Sequence, residues 1–178
     1  MLKLRTDELS EKAHLLHAGD EVLLSGVVYT ARDAAHKLLT EGIKNGTDLP
    51  FELKGAVIYY AGPTQTPVGQ VCGSFGPTTS CRMDAFTPTL LEKGVAATIG
   101  KGGRSDAVTN AVVQCKSPYF VALGGAGALA ASHITACDVI GYEHLGCESI
   151  KRLEFKDFPL FVATDIYGKS IYDLGGKV

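Results

Sequence analysis

Apolar, β-rich runs alternate with helical segments through the middle of the chain. Residues 21–30 form the longest such run, and residues 31–45 carry apolar side chains at helical spacing. Further β-rich runs cover residues 53–61, 95–99 and 118–123, each bounded by glycine or proline. Because alternation of this kind is typical of α/β proteins, we predict an α/β fold.

The longest run and its surroundings predict several local features. Residues 21–30 are mostly apolar, which predicts a strand buried on both faces. Gly26 within the run indicates a β-bulge or a close backbone approach. The following helix is expected to take Thr30 as its N-cap and to end at Gly46, and Ser105 is expected to cap a later helix.

The C-terminal third predicts antiparallel pairing. Two β-rich runs, residues 150–155 and 160–165, flank Asp157-Phe158-Pro159. We interpret them as a pair of strands around that tripeptide. Together with the alternation upstream, they predict a mixed sheet.

The composition and charge give no sign of a nucleic-acid-binding, membrane or secreted protein. Of 178 residues 46% are hydrophobic, so we predict one domain over residues 1–178 with a real core. The net charge of −2 without a basic run gives no reason to expect nucleic acid or an anionic membrane as partner. No apolar run approaches the roughly 20 residues of a membrane span, and the first eight residues lack a signal-peptide core. We expect a soluble, cytoplasmic protein.

The cysteines predict reduced thiols and no metal site held by this chain alone. Their number is odd, and no two have the C-x-x-C spacing of metal or redox motifs. They are Cys72, Cys81, Cys115, Cys137 and Cys147.

The stretch over residues 73–82 combines glycines and a proline with a run of hydroxyl groups and an arginine. Pro77 suits the first position of a helix, so Thr78–Ser80 would present free backbone N–H groups to an anion. Arg82 would then lie one turn further along the same face. We interpret the stretch as a site for a carboxylate or phosphate; the alternative is an ordinary capped helix.

Two further strand-to-helix junctions carry cations. Arg32 follows the first long strand, and Lys101 and Arg104 belong to a glycine-rich turn after residues 95–99. Since ligands of open α/β sheets gather beyond the carboxyl ends of the strands, these residues and Arg82 predict a positive site for a small polycarboxylate or a phosphorylated metabolite. The alternatives are that Arg32 pairs with Asp33 or a surface acid and that Lys101 is a solvated turn lysine.

Two other features are interpreted as structural. Residues 124–127, Gly-Gly-Ala-Gly, lack the full G-x-G-x-x-G spacing of a dinucleotide site. His36 follows Arg32 by one helical turn, and we interpret it and the other histidines as surface or packing residues.

Four ordered sequence blocks match a known family. They are Ser25–His36, Tyr60–Pro63, Gly76–Asp84 and Ile99–Gly102. Together the blocks resemble the iron–sulfur hydro-lyases, which are the class I fumarases and L(+)-tartrate dehydratases. The likeness is to the β subunit, equivalent to the C-terminal domain of the single-chain forms, and extends from Gly19 to Tyr172.

This resemblance implies a swivelling β/β/α domain and the reversible hydration of fumarate to L-malate. It also implies an active site shared with an α subunit, which carries the [4Fe–4S] cluster and a general acid. Complexes of α and β units are expected to associate further.

The resemblance implies roles for five residues of this chain. Thr78 matches the proposed general base, and Thr79 matches a neighbour that contacts substrate. Arg32, Arg82 and Lys101 match the carboxylate binders.

Two alternatives stay open at this point. The same blocks fit the β subunit of an L(+)-tartrate dehydratase, which converts tartrate to oxaloacetate. The chain would also fit a binding or assembly module that holds dicarboxylates without chemistry.

Overall fold

The computed structural model describes residues 1–123 and 127–174, with only the backbone of Leu174. The strands are β1 (Leu2–Arg5), β2 (Glu21–Thr30), β3 (Val57–Tyr59), β4 (Ala61–Pro63), β5 (Phe75–Pro77), β6 (Ala97–Gly100), β7 (Tyr119–Val121), β8 (Ile134–Gly141) and β9 (Ile150–Thr164). The α-helices are α1 (Leu9–Lys12), α2 (Asp33–Asn45), α3 (Thr87–Glu92), α4 (Asp106–Cys115), α5 (Gly127–Ser132) and α6 (Ile171–Leu174). Among these helices, none is both long and apolar enough to cross a membrane.

The main sheet closes on itself. Strands β2, β3, β6, β7 and β9 form a ring, because β9 pairs with β7 on one side and with β2 on the other. The pairs β1–β2, β2–β3, β3–β6 and β6–β7 are parallel, whereas β9 runs antiparallel to β2, β7 and β8. The predicted α/β fold with a mixed sheet is confirmed.

Apolar side chains pack on both sides of this small barrel. One cluster fills the inside, where Val28, Tyr59 and Ile99 are fully buried. A second cluster, which includes Ile58 of β3 and Leu39 of α2, lies between the barrel and the helices outside it. The helices therefore cover the barrel from the outside, and the loops at the strand ends stay accessible.

Strand β2 has the predicted limits but not the predicted burial. Its residues alternate between buried and partly exposed, so it has one buried face rather than two. The outward Tyr29 stacks on Phe51 with ring centroids 4.1 Å apart. Gly26 marks an irregular register against β9, and a Cβ there would collide with Thr6, which confirms both features predicted for this glycine.

The C-terminal strand prediction is wrong in one respect. Residues 150–164 form the single long strand β9 rather than two strands that pair with each other. At Asp157 the backbone has a positive φ of 48°, and its N–H donates to Ser25 Oγ at 2.9 Å. The strand continues past this irregularity and changes neighbours, pairing with β8 in its first half and with β7 in its last residues.

The helix boundaries are partly as predicted. Ser105 caps α4 by accepting the Val108 N–H, and Gly46 ends α2 in the left-handed conformation. Thr30 is not an N-cap, because it is the last residue of β2 and its buried hydroxyl accepts the Lys151 N–H. Most of the 124–127 stretch lies outside the described residues.

His36 of α2 is completely buried, which agrees with its interpretation as a packing residue. Its Nδ1 donates to the Arg32 carbonyl oxygen at 2.9 Å, and its ring packs edge-on against Tyr60. Burial lowers the pKa of His36 from 6.5 to about 4, so the ring is neutral at neutral pH.

The lowered pKa of His36 predicts that the free energy of unfolding depends on pH. The unfolded chain binds a proton at His36 below pH 6.5, whereas the folded chain does so only near pH 4. The contribution is therefore complete only about one pH unit or more above 6.5, and about 2 kcal/mol of unfolding free energy is lost between about pH 7.5 and about pH 5. Urea titrations at the two pH values measure the loss. The variant His36→Leu, which cannot titrate, should flatten this part of the profile, and an unchanged profile would contradict the assignment.

Candidate functional site

The predicted helix at Pro77 is not formed. Phe75–Pro77 is strand β5, which pairs antiparallel with β4. Helical geometry begins only with a single 3₁₀ turn over Ser80–Met83. Pro77 ends a two-stranded ribbon, where its lack of an N–H is tolerated.

Two of the three backbone N–H groups predicted to face an anion are already bonded. The Thr78 N–H donates to the Tyr60 carbonyl oxygen at 2.6 Å, and the Ser80 N–H donates to the Lys101 carbonyl oxygen at 2.9 Å. Bonds of the β type therefore use these donors. The Thr79 N–H has no hydrogen-bond partner among the described residues, so it and the side chains are the anion donors that this segment offers.

Arg32 lies at the junction of β2 and α2. It is the N-cap residue with an extended backbone, so α2 begins at Asp33. Its Nη2 lies 3.2 Å from Oε1 of Glu148, and both side chains are about one-quarter exposed (23% and 22%). The acid partner of Arg32 is thus Glu148.

Arg82 reaches the same helix end. Its Nε lies 2.9 Å from Oδ1 of Asp33, the residue next to Arg32. Half of the Arg82 side chain (52%) is exposed. The contact links the 3₁₀ turn to α2 and brings a second guanidinium group to the helix that Arg32 caps.

Lys101 joins this group through the backbone. It follows β6 and forms a parallel bridge with Thr79. Its N–H donates to Ser80 Oγ at 3.0 Å, and its side chain is exposed. We call Arg32, Arg82 and Lys101 the cationic site.

A buried hydroxyl pair supports the Lys101 turn. The Ser80 and Tyr119 hydroxyl groups lie 2.8 Å apart, and Tyr119 donates to the Gly102 carbonyl oxygen at 2.8 Å. Burial raises the pKa of Tyr119, so the phenol keeps its proton. The two hydroxyl groups therefore hold the backbone at Lys101 and at Gly102.

Arg104 does not belong to the cationic site, contrary to the sequence prediction. Its side chain is 1% exposed, and its Nε lies 2.7 Å from Oδ1 of Asp84. Its Nη2 donates to Thr87 Oγ1 at 2.7 Å, and its guanidinium packs over the rings of Tyr60 and Tyr119. Arg104 is a structural cation of the core.

The cationic site is suited to carboxylate chemistry. Arg82 pairs with Asp33 beside Arg32, and Lys101 bridges through the backbone to Thr79, which follows Thr78, so the three cations and two threonines belong to adjoining segments of a chain whose net charge is −2. Guanidinium groups bind carboxylates through two parallel hydrogen bonds, and an ammonium adds a point charge. Because Thr79, Arg82 and Lys101 are exposed, the site is open toward solvent.

The described residues do not fit an iron–sulfur cluster. No three histidine, cysteine or acidic side chains among them lie together as metal ligands. The thiols are free, and that of Cys72 is buried with a pKa raised by burial to about 11. A thiolate ligand set is thus not provided by this part of the chain.

Comparison with known proteins shows the family of the chain. The family model described as "Fumarase C-terminus" matches residues 1–175. The chain belongs to this family. Fumarate hydratase 2 of Leishmania major is 37% identical over 173 residues, which are 96% of this chain and 30% of the relative. The aerobic class I fumarate hydratase of Escherichia coli K12 is 39% identical over 151 residues, 84% of this chain and 28% of the relative.

The fumarase C-terminus family also contains shorter chains. A Methanocaldococcus jannaschii protein named "Putative L(+)-tartrate dehydratase subunit beta" is 38% identical over 164 residues, 89% of this chain and 84% of the relative. The present chain spans less than a third of the two fumarate hydratases but most of this relative. The resemblance predicted from the sequence blocks is confirmed.

The acids of this region have partners that the sequence does not reveal. Asp33, the neighbouring acid available to Arg32, pairs with Arg82 instead, and Asp84 pairs with the structural Arg104. Glu148 gave no signal, because it lies 116 positions after Arg32 in a segment without a motif.

Proposed function

We propose that this chain is the β-type half of a class I fumarate hydratase. In this role it binds the dicarboxylate and moves the proton in the interconversion of fumarate and L-malate. The observation that carries the proposal is that Arg82 pairs with Asp33 beside Arg32, while Lys101 bridges to Thr79 next to Thr78. The names of the longer relatives support the substrate class.

The cations of the site bind and orient the substrate. A dicarboxylate has two anionic ends, and Arg32 and Arg82 supply two fork-shaped donors on either side of Asp33. Lys101 adds a third positive charge beside Thr79. Binding at both ends holds the carbon between the carboxylates in one place, as proton transfer requires.

Thr78 is the proposed base. It removes the C3 proton of malate in the dehydration direction and returns it in the hydration direction. A threonine hydroxyl is a weak base at neutral pH, so it needs neighbours that favour its anionic form. We propose that Arg82 and Lys101 provide that positive field, since the backbone of each contacts Thr79, the residue next to Thr78.

The partner is an α unit, either a separate subunit or the remaining part of a longer chain. We propose that it carries the [4Fe–4S] cluster, which supplies Lewis-acid chemistry when bound. The chain lengths support an α unit, since the two fumarate hydratases are about three times as long as this chain. We expect the complexes to associate further and to work in the cytoplasm.

Anaerobic reconstitution tests the function. The chain is mixed with its cognate α unit, and L-malate and L-tartrate are supplied side by side while fumarate and oxaloacetate are measured. We expect malate turnover of about 1 s⁻¹ or more, with neither component active alone. Turnover of tartrate only would favour the tartrate dehydratase alternative, since the M. jannaschii relative carries that name. If a cluster-loaded complex converts neither substrate, the chain would be interpreted as a dicarboxylate-binding module without catalytic activity.

A further inference from the structure

Glu148 makes two contacts at the cationic site. Its Oε1 lies 3.2 Å from Arg32 Nη2, and its Oε2 accepts the Ala34 N–H at 3.3 Å. Ala34 belongs to the first turn of α2, so one carboxylate holds both the arginine and the helix end that the arginine caps. The first contact restricts the Arg32 side chain, and the second restricts the first turn of the helix that follows it.

A buried lysine fixes the segment that carries Glu148. Lys151 is 6% exposed, and none of the described carboxylates pairs with it. Its Nζ donates instead to four oxygens of the preceding turn. They are the carbonyl oxygens of Gly146 (3.4 Å), Cys147 (3.2 Å) and Ser149 (3.1 Å) and the hydroxyl of Ser149 (2.8 Å).

An ammonium group has only three N–H donors, so the four oxygens outnumber them and at least two oxygens share one N–H. A buried charge without an ion-pair partner is costly, and such a full oxygen cage is the arrangement that offsets the cost. We call residues 146–149 the caged loop. The cage leaves the Lys151 ammonium without a free N–H for substrate and directs all of its donors to the caged loop.

Two further contacts hold the caged loop against the site. A Cβ at Gly62 would lie 2.7 Å from the Cys147 carbonyl oxygen and 3.5 Å from Arg32 Cδ, so only glycine allows this approach. The Thr30 hydroxyl donates to the Ser149 carbonyl oxygen at 3.4 Å. Gly62 and Thr30 both lie inside sequence blocks of the family likeness, and these contacts give them a physical role.

We infer that the caged loop is a positioning element for Arg32, in which Lys151 fixes the loop and Glu148 holds the guanidinium group ready for a substrate carboxylate. The inference rests on the proposed function. Glu148 also competes with the substrate for Arg32, so its removal has two opposing effects. The inference requires that loss of position outweighs loss of competition. Glu148 is the one acid that pairs with Arg32 among the described residues, and the buried Arg32 Nε has no hydrogen-bond partner there.

The test uses the complex of the chain with its α unit. We expect Glu148→Gln to raise the KM for malate about tenfold with kcat changed less than about threefold. Lys151→Met should act in the same direction. The double variant should be no worse than the stronger single variant, because both residues act through Arg32. Matched controls are Glu143→Gln in the same turn and Lys156→Met on β9, both exposed, which should leave KM and kcat unchanged.

Three results would overturn the inference: a KM within twofold of wild type in Glu148→Gln, equal effects in the control variants, or additive effects in the double variant. A second readout does not depend on activity. In ¹⁵N NMR spectra of the full chain, the Arg32 Nε–H signal should exchange faster with water in Glu148→Gln and in Lys151→Met than in wild type. If the wild-type complex lacks turnover, the proposed function fails, while unchanged Nε–H exchange in both variants would refute the positioning role by itself.

Discussion

Thr78→Ala in the reconstituted complex is expected to lower kcat by about 10²- to 10⁴-fold, with a much smaller change in KM. General base catalysis contributes an effect of this size. The cationic site stays intact in this variant, so the dicarboxylate still binds. Initial rates on malate, measured with the iron content of each preparation, separate loss of the base from loss of the cluster.

Two variants control this experiment. Thr78→Ser keeps a hydroxyl at the same place and should retain most of the activity. Thr135→Ala removes an exposed threonine of β8 that lies outside the site, and its rate should equal that of wild type. Near-normal turnover of Thr78→Ala with an intact cluster would remove Thr78 as the base.

Arg104→Met is expected to lower the free energy of unfolding by about 3–5 kcal/mol, because it leaves a largely buried carboxylate without its cation. Asp84 would keep only the Ser105 N–H, which it accepts at 2.7 Å. The packing of the guanidinium between Tyr60 and Tyr119 would be lost as well. Urea unfolding of the chain, followed by two independent probes, measures the change.

Arg82→Met is the matched control for this prediction. Arg82 is also paired with an aspartate, but it is half exposed, and such pairs contribute about 1 kcal/mol or less. We therefore expect Arg82→Met to unfold almost like wild type and to lose substrate affinity in the complex. Equal destabilisation by the two variants would contradict the division into a structural and a binding arginine.

The sequence predicts the individual strands and helices of this fold better than it predicts the closure of the sheet into a barrel. Strand β2, with its bulge at Gly26, follows from an apolar run interrupted by a glycine. The closed barrel does not follow, because it depends on β9 reaching both β7 and β2. That reach requires one long strand. In the sequence, Asp157 and Pro159 are typical of a turn, but in the structure both are part of strand β9.

The site shows the same division between local and long-range information. Arg32, Arg82 and Lys101 are recognisable because each follows a strand within a short motif. Whether such a cation is free or structural depends on its partners, and these lie far away in the chain. Arg104 is buried by Asp84, Thr87 and two aromatic rings, so its position in a glycine-rich turn is misleading.

The central claim is that this chain supplies the dicarboxylate-binding half of an active site. The most direct measurement is a crystal structure of the complex with its α unit and a bound, slowly reacting dicarboxylate. We expect Arg32, Arg82 and Lys101 to donate hydrogen bonds to its carboxylates and Thr78 Oγ1 to face the carbon that loses its proton. A dicarboxylate held by the α unit alone, with none of these three cations in contact, would contradict the account.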